Sequence, residues 1–224
     1  MPKIQAVIFD RDGVLTYFDF KAVMAYFKQV LPISFEELTQ RWWAWRDPQS
    51  APSTAAQEQA IFEGFWNVLA ADLHLTPAQQ AQLRQFDYTT IVRPFPEVPQ
   101  VLQTLKRRGL RVGVLSNFEL ASIEASLQGA GLAAWVDVAL AAPVIGVAKP
   151  DPEAYLAVAR ALDAPPEACL YFDDEPSWAA GARAVGMTAY TVDRSLADHD
   201  LARGIVRDLS VLSGLWDSLI PLDQ

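Results

Sequence analysis

The chain is poor in cysteine, histidine and positive charge, and each shortage removes a class of function. One cysteine, Cys169, stands among 224 residues. Neither an intrachain disulfide framework nor a cysteine-built zinc site can therefore form. Cys169 lies inside an apolar run and reads as small buried packing. The two histidines, His74 and His199, sit in polar contexts and give it no base partner. Basic residues number 18 against 27 acidic ones, a formal net charge of −9. A surface of that sign repels nucleic acid and anionic membranes, so neither is an expected partner. The basic run Lys106-Arg107-Arg108 ends a predicted helix, where cations favour the dipole. Long uninterrupted apolar stretches are also missing. Residues 127–148 come nearest, but Asp137, Pro143 and several glycines interrupt them. They read as a helix end, a short buried strand and a loop, and not as a membrane span. No basic region followed by a long apolar stretch opens the chain, which predicts no signal peptide and a cytoplasmic location.

What is present is the composition of a packed globular protein, with 51% hydrophobic and 20% charged residues. The length suits one large domain, or a core domain with a modest insertion. Ile4 to Phe9 is a short, nearly all-apolar run and reads as a strand buried on both faces. Residues 17–93 have no comparable β-branched run but carry helix signals. Ser34-Phe35-Glu36-Glu37 and Thr76-Pro77-Ala78-Gln79 fit capping boxes, the second with Pro at the first helical position. The segment predicts a helical unit of roughly four helices. From Pro94 onward helices and strands alternate. Strands are expected at Arg111–Leu115, Val136–Leu140, Ala168–Phe172 and Thr188–Val192. Helices are expected at Pro96–Arg108, Glu119–Gln128, from Asp151 to about Leu162, at Ser177–Val185 and over about Val211–Leu219. Such alternation implies an α/β fold, a Rossmann-like parallel sheet covered by helices, with an inserted helical domain. The predicted division is residues 1–16 and 94–224 as core and 17–93 as insertion.

In open parallel sheets, ligands sit beyond the C-terminal ends of the strands. Asp10 and Asp12 follow the first predicted strand, in "VIFDRDGVLT". Ser116 and Asn117 follow another, in "VGVLSNF", and Asp173 and Asp174 a third, in "LYFDDEP". Lys149 precedes a helix start in "VAKPDPEAY". Acid, hydroxyl, lysine and acid are thus placed on one rim. Asp10 and Asp173 can share a hard divalent ion such as Mg²⁺. Asp10 can serve as a nucleophile, and Asp12, two residues on, can face the same side as an acid and base. Ser116, a neighbouring backbone N–H and Lys149 can hold phosphoryl oxygens. Strand alternation points Arg11 away from both aspartates, and its expected role is a structural ion pair.

These four pieces resemble the four motifs of the haloacid-dehalogenase-like hydrolase superfamily, in order and across nearly the whole chain. The resemblance implies a Rossmann-like core, an aspartyl-phosphate intermediate, Mg²⁺ dependence and a helical cap that closes over small substrates. Carried over by position, Asp10 is the nucleophile and Asp12 the acid and base. Ser116, Asn117 and Lys149 bind phosphate. Asp10, the Asp12 carbonyl and Asp173 bind metal, with Asp174 as a further candidate. The implied activity is hydrolysis of a small phosphorylated metabolite. A sugar-phosphate mutase, a dehalogenase and a non-catalytic phosphate binder are the alternatives.

Three features depart from or qualify that pattern. Many members place another Asp or Asn several residues after the last motif, where this chain has Trp178. "DRDG" is similar to the histidinol-phosphate-phosphatase branch, whose cysteine-rich zinc loop a single cysteine cannot build. The dehalogenases lack an acid at the position of Asp12, so its presence favours phosphate esters. In the insertion, "RWWAWR" places Trp42 and Trp45 on one helical face with Arg46 beside Trp42. Packing is the expected role of this cluster. The alternative is an aromatic wall for an organic substrate, with Arg41 or Arg46 reaching an anionic group.

Overall fold

The structure, a computed structural model, describes residues 3–219. Its strands are β1 (Ala6–Phe9), β2 (Thr16–Phe18), β3 (Val92–Pro94), β4 (Arg111–Ser116), β5 (Val138–Ala141), β6 (Cys169–Asp173), β7 (Thr188–Val192) and β8 (Ile205–Val206). Its helices are α1 (Phe20–Val30), α2 (Phe35–Arg46), α3 (Ala55–Asp72), α4 (Pro77–Arg84), α5 (Val98–Arg107), α6 (Ile123–Gly129), α7 (Ala142–Ile145), α8 (Pro152–Ala161), α9 (Pro176–Ala184) and α10 (Val211–Leu219). Six strands form one sheet in the order β5-β4-β1-β6-β7-β8. Every pairing within it is parallel. The fold is therefore the α/β, Rossmann-like one that the alternation predicts.

Strand alternation divides the core between the two faces of this sheet. Val7 and Phe9 join Val112, Val114, Leu170 and Phe172 under α5, α6 and α10. Ala6 and Ile8 join Tyr171 and Cys169 under α8 and α9. β1 is buried on both faces, as its apolar run requires. Chain order reverses around β1, which lies between β4 and β6. Such a switch point opens a crevice beyond the strand ends, and Asp10 sits there directly after Phe9.

Helices α1 to α4 enclose an apolar cluster of their own, built on Phe27, Leu38, Phe65, Trp66 and Leu83. Thr76 and Gln79 complete the expected capping box, with Pro77 in the first turn. Ser34 accepts from the Glu37 N–H at 3.1 Å. Asp19 and Thr54 cap α1 and α3 in the same way. Several features differ from the sequence reading, among them the edge strand β8 and the short α7, which stands where a loop is expected. The short antiparallel ribbon of β2 and β3 stands at the entrance and exit of the helical unit. It was missed because three-residue strands carry too little period to register. Helix α6 also starts at Ile123 and not Glu119. The Ser122 N–H and hydroxyl both bind the Glu58 carboxylate of α3, so this loop is tied to the helical unit and not coiled into the helix.

Candidate active site

Asp10 is the floor of the site. Its amide donates to Phe172 O at 2.8 Å, which fixes it over the β1–β6 seam. Lys149 is fully buried at the side chain, and its Nζ donates to Asp10 Oδ1 at 2.9 Å and to Asp173 Oδ2 at 2.8 Å. One ammonium thus joins two buried carboxylates, the condition under which buried ions are tolerated. Asn117 holds the lysine in place. Its Oδ1 accepts from the Lys149 N–H at 2.8 Å and its Nδ2 donates to Lys149 O at 2.9 Å. The Asn117 side chain is thereby committed to positioning Lys149. Ser116 is buried at the end of β4, with its Oγ accepting from Phe118 N at 3.2 Å. Asp173 is held from further directions: Oδ2 also accepts from Tyr171 Oη at 2.6 Å, and Oδ1 from the Glu175 N–H at 3.0 Å.

Arg11 does not follow the expected geometry. Strand alternation, if it continued past Phe9, would keep Arg11 away from both aspartates. It separates Arg11 from Asp10, but Arg11 pairs with Asp12, Nη2 to Oδ2 at 2.6 Å and Nε to Oδ1 at 3.1 Å. The physical reason is that the strand ends at Phe9 and a turn begins. Leu15 N and Thr16 N both donate to Arg11 O, and Gly13 adopts a φ of +76°. The period of two is lost there. Arg11 is fully buried, donates Nη1 to Ser126 Oγ at 2.9 Å and lies 3.7 Å from the Phe118 ring centroid. Its role as a structural ion pair stands, with Asp12 as its partner. Asp12 still lines the cavity over Asp10.

That cavity measures 460 Å³ and is lined by Asp10, Asp12, Ser116, Asn117 and Asp174 from the core and by Trp42, Trp43 and Arg46 from α2. Its size suits a small molecule. Asp10, Asp173 and Asp174 each place a carboxylate oxygen within 4.8 Å of the others. Burial, and then the Asp173 charge, push Asp10 up to about 7, against the opposing pull of Lys149. The same two influences raise Asp174. Crowded, desolvated carboxylates of this kind offer hard oxygen donors and excess negative charge, and both features suit a divalent cation such as Mg²⁺.

A model of the haloacid dehalogenase-like hydrolases matches residues 4–186. The chain belongs to that family. Among curated relatives it is 41% identical over 219 residues to "Phosphatase MT3486" of Mycobacterium tuberculosis, covering 97% of this chain and 99% of the relative. It is 28% identical over 201 residues to an (S)-2-haloacid dehalogenase of a Pseudomonas species, covering 87% and 85% of the two chains. Among solved structures, a 2-haloacid dehalogenase from Pseudomonas syringae superposes with a TM-score of 0.66 at 23% identity, over 96% of this chain and 98% of that one. A HAD phosphatase from Thermococcus onnurineus superposes with a TM-score of 0.64 at 22% identity, over 95% and 97%. At such identities the structures speak for the fold alone.

Within this haloacid-dehalogenase-like frame, several contacts escaped sequence reasoning. Trp178, which departs from the motif, lies with its ring centroid 4.4 Å from Lys149 Nζ. An indole face here attracts the ammonium from a third side. Its main-chain oxygen accepts from Tyr155 Oη at 2.8 Å. Tyr171 was legible in principle, because it precedes Asp173 by two residues on one strand. Arg194 was not. It donates to Gly13 O at 2.8 Å and Val14 O at 2.6 Å and pairs with Glu97 at 2.9 Å. It thereby fastens the loop that carries Asp12. The tryptophan cluster is mixed in role. Trp42 stacks on Phe62 at 5.0 Å, as packing requires, yet also lines the cavity with Trp43. Arg41 is spent on Glu37 and Asp72, away from the site.

Among the described residues, no helix is long and apolar enough to cross a membrane.

Proposed function

We propose that the chain is a Mg²⁺-dependent phosphatase that hydrolyses a small phosphorylated metabolite through an aspartyl-phosphate on Asp10. The observation that carries this reading is the pairing of a lysine-bound carboxylate at the cavity floor with a second acid, Asp12, in the cavity wall. Such a pair suits nucleophilic attack followed by proton transfer. The 41% identical phosphatase relative supports it over nearly the full length.

In this mechanism an Asp10 carboxylate oxygen attacks phosphorus and the bond to the leaving oxygen breaks. Asp12 gives its proton to that oxygen, and the alcohol departs. Asp12, now a carboxylate, takes a proton from water as the water attacks the phosphorus of the aspartyl-phosphate. The bond between Asp10 and phosphorus breaks, inorganic phosphate is released, and the Asp10 carboxylate and protonated Asp12 are restored. Lys149, the Ser116 hydroxyl and the Asn117 main-chain N–H hold phosphoryl oxygens where negative charge develops. When bound at Asp10, the Asp12 carbonyl and Asp173, with Asp174 beside them, Mg²⁺ supplies positive charge to the same oxygens. Residues 17–93 serve as a cap over a core formed by 1–16 and 94–224, so that substrate choice rests with the α2 side of the cavity.

A panel of phosphomonoesters assayed with Mg²⁺ tests the reading. Release of phosphate that stops with EDTA is the expected result. Release of halide from 2-haloacids without metal, and no phosphate from any ester, would overturn it.

A further inference from the structure

The cavity over Asp10 has two unlike walls. The core wall is acidic, with Asp10, Asp12, Glu119, Asp174 and Glu175. The helical unit contributes Trp42, Trp43 and Arg46, and Arg46 is the basic residue of the lining. Arg46 ends α2 and is only 4% exposed. Its Nη1 donates to Gln49 O at 2.7 Å and more weakly to Ser50 O at 3.5 Å. Its Nε is buried and has no partner. None of the ion pairs among the described residues includes it.

A buried guanidinium without a counter-charge is costly to keep. Its neutral carbonyl partners bind Nη1 alone, and the Nε edge of the fork is left without a partner. That edge offers parallel N–H donors with the spacing of a carboxylate. The phosphoryl group is already served from the core side by Lys149 and Ser116. A second cation on the facing wall therefore has a different anion to meet.

We propose that Arg46 is a specificity-determining residue that binds a carboxylate on the organic part of the substrate, between the Trp42 and Trp43 rings. Resting on the phosphatase reading, this narrows the substrate class to phosphate esters of small hydroxy acids. The charge of the leaving group is read by the helical unit and its phosphate by the core.

Two non-hydrolysable probes test this without requiring turnover. Phenylphosphonate and 4-carboxyphenylphosphonate are titrated against the full chain with Mg²⁺, following tryptophan fluorescence. The carboxylated probe is expected to bind the unsubstituted protein at least about tenfold more tightly, which corresponds to about 1.4 kcal/mol. Arg46→Gln is expected to bring the two affinities within about twofold, and Arg46→Lys to keep part of the preference. Equal affinities in the unsubstituted protein overturn the proposal, whether or not the variants fold. So does a preference that survives Arg46→Gln, or an equal loss of both probes, which would put Arg46 on the phosphoryl group. Carboxylate preference without hydrolysis of any ester would instead count against the phosphatase reading alone.

Discussion

Replacing Lys149 by methionine removes one ammonium from between two carboxylates and keeps most of the side-chain volume. Lys149 is buried, as are Asp10 and Asp173, and the bonds lost measure 2.9 and 2.8 Å. Breaking a buried pair by removing one partner costs about 3–5 kcal/mol, because the remaining charge is left uncompensated. The ring contact with Trp178 at 4.4 Å adds to that loss. The penalty depends on pH with a definite sign. Burial already holds Asp10 above its ordinary value, at about 7, and Lys149 is the main influence that lowers it. Without the lysine the carboxyl rises further. An acid whose folded value is raised binds protons more tightly in the native state, so stability falls as pH rises from the unfolded value toward the folded one. Urea unfolding in EDTA, followed by tryptophan fluorescence at pH 8.0 and 5.5, measures both effects. The expected loss is about 3–5 kcal/mol at the higher pH and clearly smaller at the lower. A loss below about 1 kcal/mol at pH 8.0, or the same loss at both pH values, would refute the reasoning, since an exposed pair behaves in that way.

Other perturbations probe the neighbouring parts. In metal-free protein, Asp10→Asn removes the raised carboxyl, so the melting temperature should fall less between pH 5.5 and 7.5 than it does in the unsubstituted chain; an unchanged difference contradicts the assignment. Gly13→Ala meets two obstacles, a φ of +76° and a Cβ that would stand 2.2 Å from Asp174 Oδ2. A stability loss of about 1–3 kcal/mol is expected by calorimetry, together with weaker metal binding, as Asp174 must move. Arg11→Met leaves Ser126 without its donor and the Asp12 carboxylate, 34% exposed, without its partner, and should cost about 1–3 kcal/mol in urea. Adding Asp12→Asn should recover part of that loss, and strict additivity of the two changes would show that the pair is not coupled.

The sequence made the rim readable because parallel sheets expose their strand ends on one side. Motifs that followed apolar runs therefore had to converge, and Asp10, Ser116, Lys149 and Asp173 do so. Tertiary partnerships were out of reach. Arg11 and Asp12 are adjacent, yet their pairing depends on a turn that ends the alternation one residue earlier. Arg194 reaches the Gly13 carbonyl across most of the chain, and no local pattern announces such a bond. Trp178 stood out as a substitution in a motif, but only its packing against Lys149 gives it a physical role. Arg41 and Arg46 looked equivalent in "RWWAWR". Helical geometry sends the first to Glu37 and Asp72 and the second to the cavity.

The central claim is that Asp10 carries the phosphoryl group. Protein mixed with Mg²⁺ and a substrate phosphomonoester, quenched in acid during turnover and reduced with borohydride, reports this directly by peptide mass spectrometry. An acyl-phosphate on Asp10 is reduced to homoserine, so homoserine at position 10, absent without substrate and absent in Asp10→Asn, is the predicted result. Steady release of phosphate with Asp10 unmodified, or undiminished in Asp10→Asn, would contradict the account.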